Sequence, residues 1–250
     1  KLCLVVRRER DGIRRYVHVA SGNYNIQTAR LYTDLGMMTS QEDIGADASE
    51  LFNYLTGYSK QTQYRKFLVA PVNLRYHMLR FIDREIEHGE LGRIIVKANS
   101  LVDPEIIQAL YRASAAGVRV DLLIRGICCL RPGVKGVSEN IRVMSVVGRF
   151  LEHSRIYYFH NNGAPDMYIG SADLMPRNID RRVEILFPVE DVQMRRQIVE
   201  GILEVYLQDT AKAWLLQPDG RYLAAATITE AKSLFNSQLS FLPDRYARSE

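Results

Sequence analysis

Residues 151–187, LEHSRIYYFHNNGAPDMYIGSADLMPRNIDRRVEILF, constrain this chain more than any other stretch. Residues 155–159 form an apolar, aromatic run with strand chemistry. Asn162-Gly163 is a turn signal, and residues 167–169 make a second strand. The hairpin carries His153 and Arg155 into its first strand and ends its second at Gly170-Ser171-Ala172-Asp173. Paired strands bring a His-x-Arg and a Gly-Ser-x-Asp close together. Arg177, Asn178, Arg181 and Arg182 follow as a dense set of fixed donors. One imidazole beside guanidiniums and hydroxyls is an anion site, and phosphate is the usual anion.

The start of the chain repeats this plan. Residues 1–6 are an apolar strand, Asp11-Gly12 is a hairpin signal, and residues 16–20 are the returning strand. VHVAS (17–21) matches MYIGS (167–171) position by position, which sets Asn23 against Asp173 and Lys1 against Arg155. The partner of His153 then falls two residues before Lys1. Two related units facing each other are expected, with the chain beginning inside a site as a fragment would.

Composition excludes little. With 250 residues, 47% hydrophobic and 25% charged, the chain has room for one large or two modest globular domains. A net charge of +4 favours an anionic partner. Cys3, Cys128 and Cys129 have neither CxxC nor metal spacing and read as buried, reduced thiols. No apolar run reaches the ~20 residues of a membrane span.

Between the two repeats lie further elements. Residues 28–32 suggest a turn or short helix. Tyr32 reads equally as a core aromatic or as a site residue. Residues 47–54 read as a helix, and 57–66 as a polar linker. Residues 67–71 suggest a strand, and 73–88 a helix capped by Asn73. His77 and His88 on that helix read as solvated or edge residues. A strand at 93–98, a helix opened by Asp103-Pro104, and a strand at 118–124 follow. Strand–helix–strand–helix–strand order predicts a parallel α/β sheet with right-handed crossovers. Ligands bind beyond the carboxyl ends of such strands, where Arg125 stands. Arg125 contacts an anion there or emerges into solvent; Lys97 and Asn99 are weaker candidates. A strand at 142–147 leads into the central stretch. Beyond residue 187, a helix at 192–207, a strand at 211–216 holding the only Trp, a turn at 218–220 and a helix at 229–239 are expected.

The chemistry narrows by what is missing. There is no GxSxG elbow, P-loop or kinase Gly-rich loop. Two His-x-basic motifs facing across a pseudo-dyad suit attack of one imidazole on phosphorus, the second assisting.

HSR…GSADLMPRNIDRRVE resembles the phospholipase D superfamily pattern, with Asp173 for the usual Asn. YVHVASGNYNIQTARLYTD, VDLLIRG and FLEHSRIYYF more closely resemble bacterial polyphosphate kinase, along essentially the whole chain. That resemblance implies an α/β fold with a phospholipase D-like mixed sheet flanked by helices: one complete domain plus the remnant of a second. Residues 1–66 would be the carboxy-terminal part of the first catalytic domain, and 67–250 the second. It implies reversible transfer of the ATP γ-phosphate to inorganic polyphosphate through a phosphohistidine just upstream of Lys1, with Mg²⁺, and no activity for this stretch alone. Tyr32, Arg125 and His153 match positions that contact nucleotide phosphates, with His153 also a general acid or base. Lys1, Arg177 and Arg181 are physical extrapolations as phosphate-channel residues, and no metal residue is assigned. Implied partners are ATP or ADP, polyphosphate, amino-terminal domains of the same enzyme and a second copy in a homo-oligomer, with no nucleic acid. A cytoplasmic location is implied, with membrane association left open. Two other readings stay open: a phospholipase D-like phosphodiesterase or nuclease, and a non-catalytic polyanion-binding module.

Overall fold

Alternation of side chains along the first twenty residues produces a hairpin, β1 (Leu2–Glu9) and β2 (Gly12–Ala20), with Glu9 opposite Gly12. The computed structural model describes residues 1–60, 63–228 and 233–243. A short helix α1 (Ile26–Ala29) is capped by the Asn25 side chain, which accepts from the amides of Gln27 and Thr28. β3 (Tyr32–Thr33) and β4 (Gly36–Thr39) follow, and β4 completes a three-stranded antiparallel sheet in the order β1-β2-β4. Helix α2 (Glu42–Leu55) starts five residues earlier than expected, with Glu42 and Asp43 favouring its first turn.

The second unit is a nine-stranded mixed sheet. Its elements are β5 (Leu68–Ala70), α3 (Leu74–His88), β6 (Arg93–Ala98), α4 (Pro104–Ala115), β7 (Arg119–Ile124) and β8 (Ile141–Val146). Next come β9 (Leu151–Glu152), β10 (Ile156–Phe159), β11 (Asp166–Gly170), α5 (Pro176–Asp180) and β12 (Glu184–Pro188). The expected parallel sheet is confined to β6, β7 and β8. β5 lies at the far edge, because β10, β11 and β12 enter as an antiparallel meander between it and β6. α4 opens as its sequence predicts, Asp103 accepting from the amides of Glu105 and Ile106. Asn73 does not cap α3; its Oδ1 accepts instead from the Val69 amide.

The helix expected at 192–207 is interrupted. α6 (Val192–Ile198) passes through a π-helical turn (Val199–Leu203) into α7 (Glu204–Leu207). β13 (Ala213–Leu216), with Trp214, pairs with β8 and turns through Gly220 into β14 (Tyr222–Ala224) and α8 (Ala225–Ile228). Residues 229–232 of the helix expected at 229–239 lie outside the described residues. Residues 233–236 are not helical, and α9 (Ser237–Ser240) is a single turn. The cysteine expectation fails in part: Cys3 and Cys129 are exposed, and only Cys128 is half-buried. Leu2 and Leu4 take the inward positions of β1, which turns Cys3 outward. Burial pushes the Cys128 thiol up to about 11. No helix among the described residues is long and apolar enough to cross a membrane.

Two apolar cores flank the large sheet. On one face α3 and α4 bury Met78, Ile82, Ile106 and Leu110 against Val96, Val120, Tyr157 and Phe159. On the other, Ile95, Ile156, Tyr158, Ile169 and Phe187 share one cluster with Val17, Val19, Ile44 and Leu51 of the first unit. The units are thus joined through a common core. The segment between them is clamped: the buried Asp47 carboxylate accepts from the amides of Arg65, Lys66 and Phe67.

The internal repeat is physical. Leu2 opposes Val19 as Ile156 opposes Ile169; Val19 opposes Met37 as Ile169 opposes Phe187; Ala20 opposes Gly36 as Gly170 opposes Leu186. β1-β2-β4 and β10-β11-β12 are therefore one motif used twice.

Candidate active site

The two motifs meet at the ends of their strands. In each, a serine after the second strand closes on an acid thirteen residues later: Ser21 Oγ donates to Asp34 Oδ1 (3.0 Å), and Ser171 Oγ donates to Glu184. The serine backbones match too, the Ser21 amide donating to Leu35 O and the Ser171 amide to Ile185 O. Gly170 is required at this crossing, since a Cβ there would lie 2.0 Å from the Ile185 carbonyl oxygen.

His153 sits between β9 and β10 and is nearly buried. Its Nδ1–H donates to Asp34 Oδ1 at 2.7 Å. A carboxylate only accepts, so the proton belongs on Nδ1, and Nε2 is left without a partner among the described residues. The Tyr32 ring lies against the imidazole, centroids 4.8 Å apart. Both contacts come from the first unit. The parallel pair β3–β9 aligns them, setting Tyr32 beside Leu151 and Thr33 beside Glu152.

Beneath His153 lies a buried ion pair. Glu152 accepts from Lys97 Nζ (2.8 Å), Thr33 Oγ1 (2.8 Å) and Gln238 Nε2 (2.5 Å). Burial alone would raise the Glu152 carboxyl. Lys97, with Tyr206 and Gln238, holds it below the usual carboxylate range. Lys97 also donates to Ser154 Oγ and lies under the Tyr206 ring.

Arg155 was read with the anion-binding guanidiniums, yet its donors are occupied. Nε and Nη2 donate to Asp173, and Nη1 donates to His153 O. The acid at 173 thus neutralises the buried Arg155. Asp173 also accepts from the Asn99 amide (2.8 Å), and Asn99 Oδ1 accepts from Arg125 Nε (3.1 Å). Arg125, half-buried, is joined to the His153 backbone through this chain. Lys1 lines a cavity of about 490 Å³ with Ser171, Arg182 and Glu184.

The other positions fare differently. Arg177 and Arg181 are exposed and unpaired among the described residues, so no neighbour fixes them. Asn178 is buried and donates to Glu184 Oε1, an internal contact. Asn23 is exposed. His77 is half-buried, and His88 meets Asn161, away from this site. Neither Asp34 nor Glu152 stands out in the sequence, and Glu184 does so only through the resemblance of RRVE. The signal for two of them was available, since an acid follows both Ser21 and Ser171 by thirteen positions. No group of three His, Cys, Asp or Glu side chains placed to hold a metal occurs among the described residues. The positions that the resemblance links to Mg²⁺ lie upstream of Lys1, and no step is routed through the ion.

The description "Polyphosphate kinase C-terminal domain 1" matches residues 1–61, and "Polyphosphate kinase C-terminal domain 2" matches residues 67–238. The polyphosphate kinase of Synechocystis sp. is 58% identical over 226 residues, covering 89% of this chain and 31% of its own length. That of Prosthecochloris aestuarii is 53% identical over 245 residues, covering 97% and 34%. The crystal structure of polyphosphate kinase from Porphyromonas gingivalis superposes with a TM-score of 0.87 at 38% identity, covering 96% of this chain and 37% of that one. The chain spans about a third of the length of these relatives. With both domain descriptions met in order, and the serine–acid repeat present in each, the chain belongs to the polyphosphate kinase family.

Proposed function

We propose that this chain supplies one half-site, and the frame of the other, for reversible phosphoryl transfer between ATP and inorganic polyphosphate. The observation that carries the proposal is the cross-unit set Tyr32–His153–Asp34. With Nδ1 held by Asp34, Nε2 is the nitrogen free to pass a proton to or from a phosphate oxygen. Tyr32 and Arg125 line the nucleotide phosphates on this reading. Lys1, Arg177 and Arg181 lie along the path of the polyphosphate.

The nucleophile on this reading is a histidine two positions before Lys1 in the longer protein. Glu184 stands to it as Asp34 stands to His153, and the cavity beside Lys1 supports that placement. Its nitrogen forms a bond to the γ-phosphorus as the bond from phosphorus to the β-bridging oxygen breaks and ADP leaves. A terminal oxygen of polyphosphate then attacks the phosphohistidine, extending the chain by one phosphate and freeing the imidazole. His153 stabilises the leaving or attacking oxygen in each step. On this reading the first domain ends at residue 66 and the second begins at residue 67.

The test is the full-length protein with His153→Ala. Transfer from γ-labelled ATP to polyphosphate falls by about 10²-fold or more with melting temperature kept. An unchanged rate overturns the role of His153. Release of alcohol from a phosphodiester without ATP use replaces the reading with hydrolysis.

A further inference from the structure

The β1–β2 hairpin carries more charge than its fold requires. Arg7, Arg8, Arg10, Arg14 and Arg15 stand against only Glu9 and Asp11, so residues 7–15 hold +3 of the chain's +4. Arg7 takes Glu9 and Arg14 takes Asp11. Arg8 and Arg10 are exposed with no partner among the described residues. From Val5 to Arg8 and from Arg10 to Arg14 every residue is exposed, so both faces of the outer hairpin stand in solvent.

The repeat serves as an internal control. The β10–β11 hairpin has the same register yet no Lys or Arg between residues 156 and 170. The architecture folds without arginines at its tip, so those at residues 7–15 answer to something else. Unpaired guanidiniums on a projecting arm favour an extended polyanion, whose successive phosphates each accept one or two of their N–H donors. Lys1, just before β1, lies beside Ser171 and Glu184, and at ~3.3 Å per residue the tip of β1 lies about 25–30 Å from that cavity. A single phosphate or a nucleotide cannot span this distance, whereas a long chain can.

We infer that the arginine-rich β1–β2 arm is a second anion site, which captures the distal part of a long inorganic polyphosphate chain away from the reacting phosphate. The inference rests on the proposed function for its choice of polyanion.

The experiment measures equilibrium binding of long-chain polyphosphate and of tripolyphosphate to the full-length protein and to its Arg8→Gln/Arg10→Gln variant. Long-chain binding weakens about fivefold at low salt, and the slope of log K against log[salt] becomes shallower by ~1.4, as loss of two phosphate contacts requires. Tripolyphosphate affinity and melting temperature stay unchanged. Equal weakening for tripolyphosphate overturns the inference by placing the arginines at the reaction site. Unchanged long-chain binding also overturns it, as does a loss confined to a single-stranded oligonucleotide probe. Absence of ATP-to-polyphosphate transfer in the unsubstituted protein counts against the proposed function alone, because the binding comparison reads independently of turnover.

Discussion

The imidazole of His153 donates from Nδ1 to Asp34 Oδ1 across 119 residues of sequence, at 2.7 Å. The pair joins the two copies of the repeated motif. Asp34 itself is oriented by Ser21, so the imidazole is fixed at one remove by the end of β2.

Asp34→Asn therefore keeps the shape and loses the pure acceptor. The amide can present N–H to Nδ1, which favours the wrong tautomer. In the full-length protein we expect turnover to drop by about 10²-fold while KM for ATP changes little. Steady-state kinetics of the variant check this, and equal kcat values would remove Asp34 from the site.

Asp173→Asn is nearly isosteric but leaves the Arg155 charge buried without its counter-ion. Removing one partner of a buried pair costs about 3–5 kcal/mol. Denaturant unfolding should report a loss of that size. A change below about 1 kcal/mol would mean that Arg155 finds water or another carboxylate.

The Lys97–Glu152 pair gives the stability a signature in acid. Folded Glu152 titrates below the ordinary carboxylate range, so the unfolded chain takes up that proton first. Its contribution is present above roughly pH 4.3 and disappears as the pH falls through the lower folded value. Glu152→Gln should be less stable at pH 7 and show a shallower decline between about pH 5 and 3. Thermal melts across that range decide the matter; parallel curves would refute it.

Asp47→Ala strips the amides of exposed Arg65, half-buried Lys66 and buried Phe67 of their acceptor. At about 1–1.5 kcal/mol for each of the two orphaned donors that are not exposed, a loss of about 2–3 kcal/mol is expected. For a chain of this size that corresponds to about 4–12 °C in melting temperature, measurable by calorimetry. A shift under 2 °C would show that the segment rehydrates freely.

Local chemistry made much of this molecule readable in advance. Strand alternation and Asp-Gly or Asn-Gly turns gave both hairpins, and Asp103-Pro104 gave the start of α4. VHVAS and MYIGS exposed the repeat because equivalent registers demand equivalent side-chain alternation. What stayed hidden depends on contacts distant in sequence. The antiparallel insertion that sends β5 to the sheet edge leaves no trace in the β5 residues themselves. The Glu152 carboxylate gathers Lys97, Thr33 and Gln238 from three separate regions, which no local pattern announces. Arg155 looked like a phosphate ligand because a lone arginine gives no sign that Asp173 will neutralise it.

The common apolar core carries a further consequence. Swinging the small sheet and α2 away from the large sheet would bare Val17, Val19, Ile44 and Leu51 together with Ile156 and Phe187. At ~25 cal/mol per Å² of apolar surface exposed, that burial opposes such a movement. The two units accordingly hold Asp34 and His153 together as one body.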